Sequence, residues 1–226
     1  MTPTPARKFA AEFLGTTFLL AAVVGSGIMG DRLSAGNAAV ALLANAVATG
    51  AALLALILTF GPISGAHFNP VVTLLAYIRR EISARLALGY AMAQFAGAVL
   101  GVMLAHAMFA VPLLQQSIHI RAGGSQFLSE MIATAGLLLV ISSCAHHQPS
   151  GCPYAVSAYI VSAYWFTAST SFANPAVTLA RTLTNTFSGI AFRSAPMFVL
   201  AQLVAVPIVF VGWRLLQPTL PPANRK

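Results

Sequence analysis

Two short stretches, "AHFNPVVTLLA" (66–76) and "SFANPAVTLAR" (171–181), limit what this chain can become. Both are apolar enough for a lipid setting, and both are too short to cross it. About nine helical residues reach ~13 Å, under half of a hydrocarbon core ~30 Å thick. Each contains Asn-Pro, a pair suited to a helix start, because Asn caps well and Pro is tolerated at the first helical position. The windows 64–78 and 171–183 therefore read as loops that dip into a membrane, each followed by a half-helix that returns. Irregular backbone at that depth needs to be buried in protein or to line a wet cavity. A polar path through the interior follows.

Lipid as the solvent is implied by composition. Hydrophobic residues are 58% of the chain and charged ones only 7%, against about 25% charged in soluble domains. The net charge of +8 rests on twelve scattered Lys and Arg, which excludes a nucleic-acid groove and suits ends facing an anionic leaflet. The basic, then apolar, N-terminus resembles a leader, but Glu12 inside the run and its near-spanning length favour a retained helix.

Six stretches have the length and apolarity of spans: about 9–30, 38–60, 84–110, 124–144, 153–170 and 195–217. Starting from a cytoplasmic N-terminus, they place Arg7, Lys8, Arg79, Arg80, Arg85, Arg214, Arg225 and Lys226 inside. Arg32, Arg121, Arg181 and Arg193 then fall outside, in keeping with the positive-inside tendency.

The Asn-Pro stretches belong to a longer repeat. "AEFLGTTFLL" (11–20) answers "SEMIATAGLLL" (129–139), setting Glu12 opposite Glu130. "AQFAGAVLG" (93–101) answers "AQLVAVPIV" (201–209), setting Gln94 opposite Gln202. The repeats cover about 9–110 and 124–217 of one domain, 1–226. Three spans per half is an odd number, so the halves must be inverted, with their functional centre at the midplane.

Inverted halves carrying "SGAHFNPVVT" and "FANPAVT", with a Glu early in the first and fourth spans, resemble the aquaporin and aquaglyceroporin family of major intrinsic proteins. The resemblance is to an atypical bacterial-type aquaglyceroporin. It implies an all-α membrane protein of aquaporin-like fold: six transmembrane helices and two re-entrant half-helices around a pore. It implies passage of water or small neutral solutes, a homotetramer, and a bacterial inner (plasma) membrane with both termini cytoplasmic. The pore midplane would hold Asn69, Pro70, Val71, Asn174, Pro175 and Ala176. Val71 stands where the family usually has alanine, and is expected to narrow the midplane or shift the packing of Pro70 against Pro175.

A second departure concerns selectivity. The family usually has an arginine directly after the second Asn-Pro-Ala, where this chain has Val177. Counting from the motifs puts Thr49, Ser162 and Ser171 with Val177 in the selectivity constriction. All are small, so a wide, dry constriction is expected. Arg181, four residues on and about 6 Å further out on the same face, either lines the outer vestibule or turns to the surface or a loop carbonyl.

Glu12 and Glu130 are intramembrane acids, and a proton-coupled transporter would use them. The resemblance instead makes them braces for the re-entrant loops, with His67 fixing its loop or lining the pore. Cys144, His146, His147 and Cys152 gather at a turn with no closed zinc spacing. Tyr164, Trp165 and Phe166 belong to an aromatic belt or the pore approach. No nucleophile–base set or metal constellation is visible, so no enzyme activity, cofactor or metal is expected. The expected function is passive diffusion of glycerol-like polyols, metalloid hydroxides such as arsenous acid, methylated arsenic oxyacids and water. The alternatives are a proton-coupled secondary transporter and a water-selective aquaporin.

Overall fold

Polar caps and glycine exits set the helix limits in the computed structural model, which describes residues 3–216. Arg225, Lys226 and the end of the second repeat at 217 lie outside the described residues. Thr4 caps α1 (Pro5–Leu33) and Asn37 caps α2 (Ala38–Ser64), accepting from the amides of Ala39 and Val40. Gly65, at φ 90°, ends α2 in the left-handed conformation that glycine adopts without penalty. Half-helix α3 (Pro70–Ile78) follows, then α4 (Ala84–Met108), capped by Ser83. The second half repeats the order: α5 (Gly124–His147), α6 (Cys152–Phe166), half-helix α7 (Pro175–Ala180) and α8 (Ala195–Leu216). A 3-10 turn, Arg181–Leu183, continues α7.

Five of these helices are long and apolar enough to cross a membrane. The expected fifth span, 153–170, is shorter than its sequence implied, since α6 has 15 residues and stops at Phe166. Thr167 explains the stop: its hydroxyl and its amide both go to the Ala163 carbonyl, and the backbone turns extended there.

Contacts follow the inverted repeat. In the first half α1 packs on α2 and α4; in the second, α5 packs on α6 and α8. Each half-helix touches the last long helix of both halves, α3 meeting α4 and α8, and α7 meeting α8 and α4. The half-helices also meet each other at the centre. Both termini of the described chain, and the outer end of α3, therefore lie at one face, the terminal face; α7 runs toward the opposite one.

Glycines let α1 and α4 approach to backbone contact. A Cβ at Gly97 would strike the Phe13 carbonyl oxygen, and one at Gly101 that of Thr17. Neither backbone atom can step aside as a side chain can. Gly97→Val is expected to destabilise by about 1–3 kcal/mol, lowering the thermal unfolding midpoint in detergent. Gly61→Ala, inside α2 where the added Cβ meets nothing within 4 Å, should not lower that midpoint, since alanine is the better helix former.

Candidate functional site

Each loop before a half-helix holds three left-handed residues, Gly65, Ala66 and Phe68 in the first and Thr170, Ser171 and Ala173 in the second. Ala66 and Phe68 in the first loop, and Ser171 and Ala173 in the second, have φ between 49° and 51°. None is glycine, so each costs on the order of 1–3 kcal/mol. The compensation is a buried carboxylate. Glu12 accepts from the amides of His67 (2.9 Å) and Phe68 (2.7 Å), from the Ser64 hydroxyl (2.6 Å) and from Gln94 Nε2 (2.8 Å). Glu130 does the same for Phe172 (2.8 Å), Ala173 (2.9 Å) and Gln202 Nε2 (2.7 Å). Gln94 and Gln202 also reach Thr73 and Thr178, each four residues beyond its Asn. Among the described residues neither glutamine finds a partner for Oε1, a cost accepted so that their amides face the carboxylates.

A trans peptide points its carbonyl opposite to its amide. With the amides of 67 and 68 on Glu12, the carbonyls of Ala66 and His67 turn to the other side; those of Ser171 and Phe172 turn likewise away from Glu130. That other side is a cavity of about 260 Å³, lined by both loops. It runs from Arg79, Glu81 and Ala145 at the terminal face, past Asn69 and Asn174, to Val177 and Arg181. Its facing wall is apolar: Val23, Leu53, Ile57, Leu137, Val156 and Ile160.

The two asparagines lock the centre. Asn69 Oδ1 accepts from the Val71 amide (3.0 Å) while its Nδ2 donates to the Ala173 carbonyl (2.8 Å). Asn174 Oδ1 accepts from Ala176 (2.9 Å) and Val177 (3.3 Å), and its Nδ2 donates to the Phe68 carbonyl (2.8 Å). Each loop thus holds the other. An amide carries two N–H donors, so each asparagine keeps one for the lumen. Val71 does not narrow this point: it is fully buried among Leu75, Leu138, Val206 and Val209. His67 does line the lumen. His67 Nδ1 and the Thr73 hydroxyl, which accepts from Gln94, are hydrogen-bonded at 3.0 Å, and this fixes the imidazole at the lumen wall.

Near the opposite face the cavity is lined by Thr49, Tyr164, Ser171, Phe172, Val177 and Arg181. Ser162 is absent from it: the side chain is exposed and its hydroxyl donates to Tyr159. Tyr164, two residues on, lines the cavity, its hydroxyl 3.4 Å from Thr49 Oγ1. Trp165 and Phe166 point outward and are about half exposed. Arg181 is buried, its Nε donating to the Ser188 carbonyl and its guanidinium carbon 3.4 Å above the Phe172 ring. Arg121, on the segment between α4 and α5, lies 5.2 Å from the same ring and donates from Nε to Gly189. Burial pulls the Arg121 pKa below its ordinary value, and Glu130 opposes that shift. Cys144 and Cys152 are free thiols near the terminal face, and the His146 and His147 rings meet edge to face at 4.8 Å.

Residues 1–158 match the family model described as major intrinsic protein. The chain belongs to the major intrinsic protein family. Members of this family are membrane channels, not enzymes, and this chain is an integral membrane protein. It is 49% identical over 217 residues to aquaglyceroporin AqpS of Rhizobium meliloti (strain 1021), covering 95% of this chain and 92% of that one. It is 32% identical over 157 residues to glycerol uptake facilitator protein-like 6 of Lactiplantibacillus plantarum, covering 66% and 68% of the two chains. The X-ray structure of the aquaglyceroporin from Plasmodium falciparum superposes with a TM-score of 0.69 over 93% of this chain and 94% of that one, at 22% identity. That likeness is one of fold.

Replacing Glu130 with Gln puts an amide where Phe172, Ala173 and Gln202 need acceptors. Each charge-assisted hydrogen bond lost is worth about 1.5–3 kcal/mol. Glu130→Gln should lower the thermal midpoint and speed hydrogen exchange at the amides of Phe172 and Ala173. Unchanged exchange there would contradict the bracing role.

Proposed function

We propose that the protein passes small uncharged, oxygen-rich solutes down their gradients: glycerol-like polyols, hydroxylated metalloids such as arsenous acid, methylated arsenic oxyacids, and water. The observation that carries this is the two-sided lumen, with backbone acceptors and asparagine donors on one wall and aliphatic side chains on the other. A polyol presents the same two sides, hydroxyls on one edge and C–H groups on the other. A purely polar solute gains nothing from the aliphatic wall, and a hydrocarbon cannot replace the water bound by the carbonyls. Aquaglyceroporin and glycerol-facilitator relatives support the same class.

Ions fit this path poorly. The half-helix N-termini face the centre and carry partial positive charge, up to ~0.5 of an elementary charge each, which opposes cations. A water that accepts from both asparagines turns its own protons away from the contact, so it cannot relay a proton through it. Glu12 and Glu130 are occupied by backbone and glutamine donors, which argues against their acting as proton carriers.

The constriction we propose consists of Thr49, Tyr164, Ser171 and Val177, with Arg181 one turn further out. Three small members leave room for solutes bulkier than water, and Tyr164 bounds one side. The Arg181 Nη groups meet no acceptor among the described residues and offer donors to an oxygen-rich solute. We carry the homotetramer from family membership, and the cytoplasmic termini from the distribution of arginines and lysines.

The test is light scattering of proteoliposomes under osmotic steps of glycerol, an uncharged metalloid acid, and an impermeant solute for water flux. Val177→Arg should cut glycerol and metalloid flux by about tenfold, roughly 1.4 kcal/mol of added barrier, and water flux by less. Arg181→Ala should change the ratio of charged to neutral oxyacid entry. If the natural protein passes only water, or Val177→Arg behaves like it, the proposed solute class is wrong.

A further inference from the structure

A second cavity, of about 610 Å³, opens at the terminal face between the ends of α3, α5 and α8. Arg79, Arg80 and Arg214 line it, against one carboxylate, Glu81. Ile78, Phe210 and Trp213 form its apolar flank. Two of the arginines are held in place. Arg79 Nη2 donates to Ser142 Oγ at 2.7 Å, and that hydroxyl is fixed in turn on the Leu138 carbonyl. Arg214 lies over the Phe210 ring, 5.5 Å from its centre. Trp213 packs beside His147, 6.2 Å between ring centres.

Helix dipoles alone would draw cations to these three C-termini. They do not account for Arg80. The amide of Glu81 bonds to the Ala76 carbonyl and that of Arg80 to Tyr77, the pattern that closes a helix with a left-handed residue. That residue is Arg80, at φ 62°, where glycine avoids a cost of about 1–2 kcal/mol. An arginine kept there against its backbone preference places a third guanidinium at the rim. Nor do dipoles account for an apolar flank that includes a tryptophan, the side chain suited to the boundary between headgroups and acyl chains.

The geometry points to a binding site for the phosphate of an anionic phospholipid, with the arginines on the headgroup and Ile78, Phe210 and Trp213 against its glycerol and upper acyl carbons. The apolar flank favours a lipid over a free anion, which would leave that surface unused. Basic pockets between membrane helices take anionic headgroups on these grounds. Arg79, Glu81 and Ala145 line both this cavity and the mouth of the central one, so a bound headgroup would sit against the channel entrance. The site stands independently of which solutes pass.

Trp213 can report on it directly. The chain has two tryptophans, and Trp165→Phe leaves Trp213 alone. This single-tryptophan protein is reconstituted in phosphatidylcholine bilayers with brominated phosphatidylglycerol or, separately, brominated phosphatidylcholine at equal mole fraction. Quenching by the anionic lipid is expected to exceed that by the zwitterionic one by at least about twofold, given ~1 kcal/mol per arginine near a charged headgroup. Arg80→Gln and Arg214→Gln, both at exposed residues, should each reduce the excess, and together with Arg79→Gln should abolish it. Arg7→Gln with Lys8→Gln removes two charges from the same face outside the cavity and should leave it unchanged. Equal quenching by the two lipids, or an excess that survives the triple substitution, overturns the proposal. So does an equal loss on Arg7→Gln with Lys8→Gln, which would mean a diffuse surface field. Displacement of the brominated lipid by inorganic phosphate alone would assign the cavity to a free anion and overturn the lipid assignment.

Discussion

Two buried carboxylates make the rest of this structure possible. Loops 64–69 and 167–174 lie at membrane depth, where water is not at hand to satisfy backbone amides and each unsatisfied group costs several kcal/mol. Glu12 and Glu130 take up pairs of those amides and hold neighbouring residues in left-handed conformations. The same act turns the carbonyls inward. Bracing and lining are one arrangement seen from its two sides: the amides go to glutamate, so the acceptors go to solute.

The asparagine exchange completes that arrangement by joining the two halves. Each Nδ2 holds the carbonyl that precedes the partner asparagine, so neither loop can shift without releasing the other. The half-helices, too short to be stable alone in water, are pinned at their N-termini by these caps and packed along their length on α4 and α8. Rigid donors at a fixed midplane are what an orienting site requires.

Much of this was legible in the residues. Asn-Pro in a stretch too short to span pointed to the re-entrant half-helices, and the repeat that sets Glu12 opposite Glu130 and Gln94 opposite Gln202 singled out the four residues that hydrogen-bond within each half, Glu12 with Gln94 and Glu130 with Gln202. The motif threonines Thr73 and Thr178 were visible too, but nothing in their type marked them as links between glutamine and loop. What was hidden depended on tertiary register. Ser162 and Tyr164 differ by two positions on α6, which puts them about 200° apart around the helix, and the packing of α6 against α2 and α5 turns the tyrosine to the lumen and the serine outward. Val71 reads as a bulky intruder at the midplane, yet it occupies the far side of the first turn of α3, in the packing against α8. Carbonyl direction leaves no trace in composition, because any residue carries a carbonyl.

The central claim is a passive path whose acidic groups are structural. The most direct measurement is the initial rate and final extent of glycerol entry into proteoliposomes, over a range of outside concentrations, with and without an imposed proton gradient. The account predicts a rate that rises linearly with concentration, a final level equal to that outside, and no response to the gradient. Saturable entry with accumulation above the outside level when the gradient is imposed would contradict it, and would make Glu12 or Glu130 a carrier of protons rather than a brace for backbone.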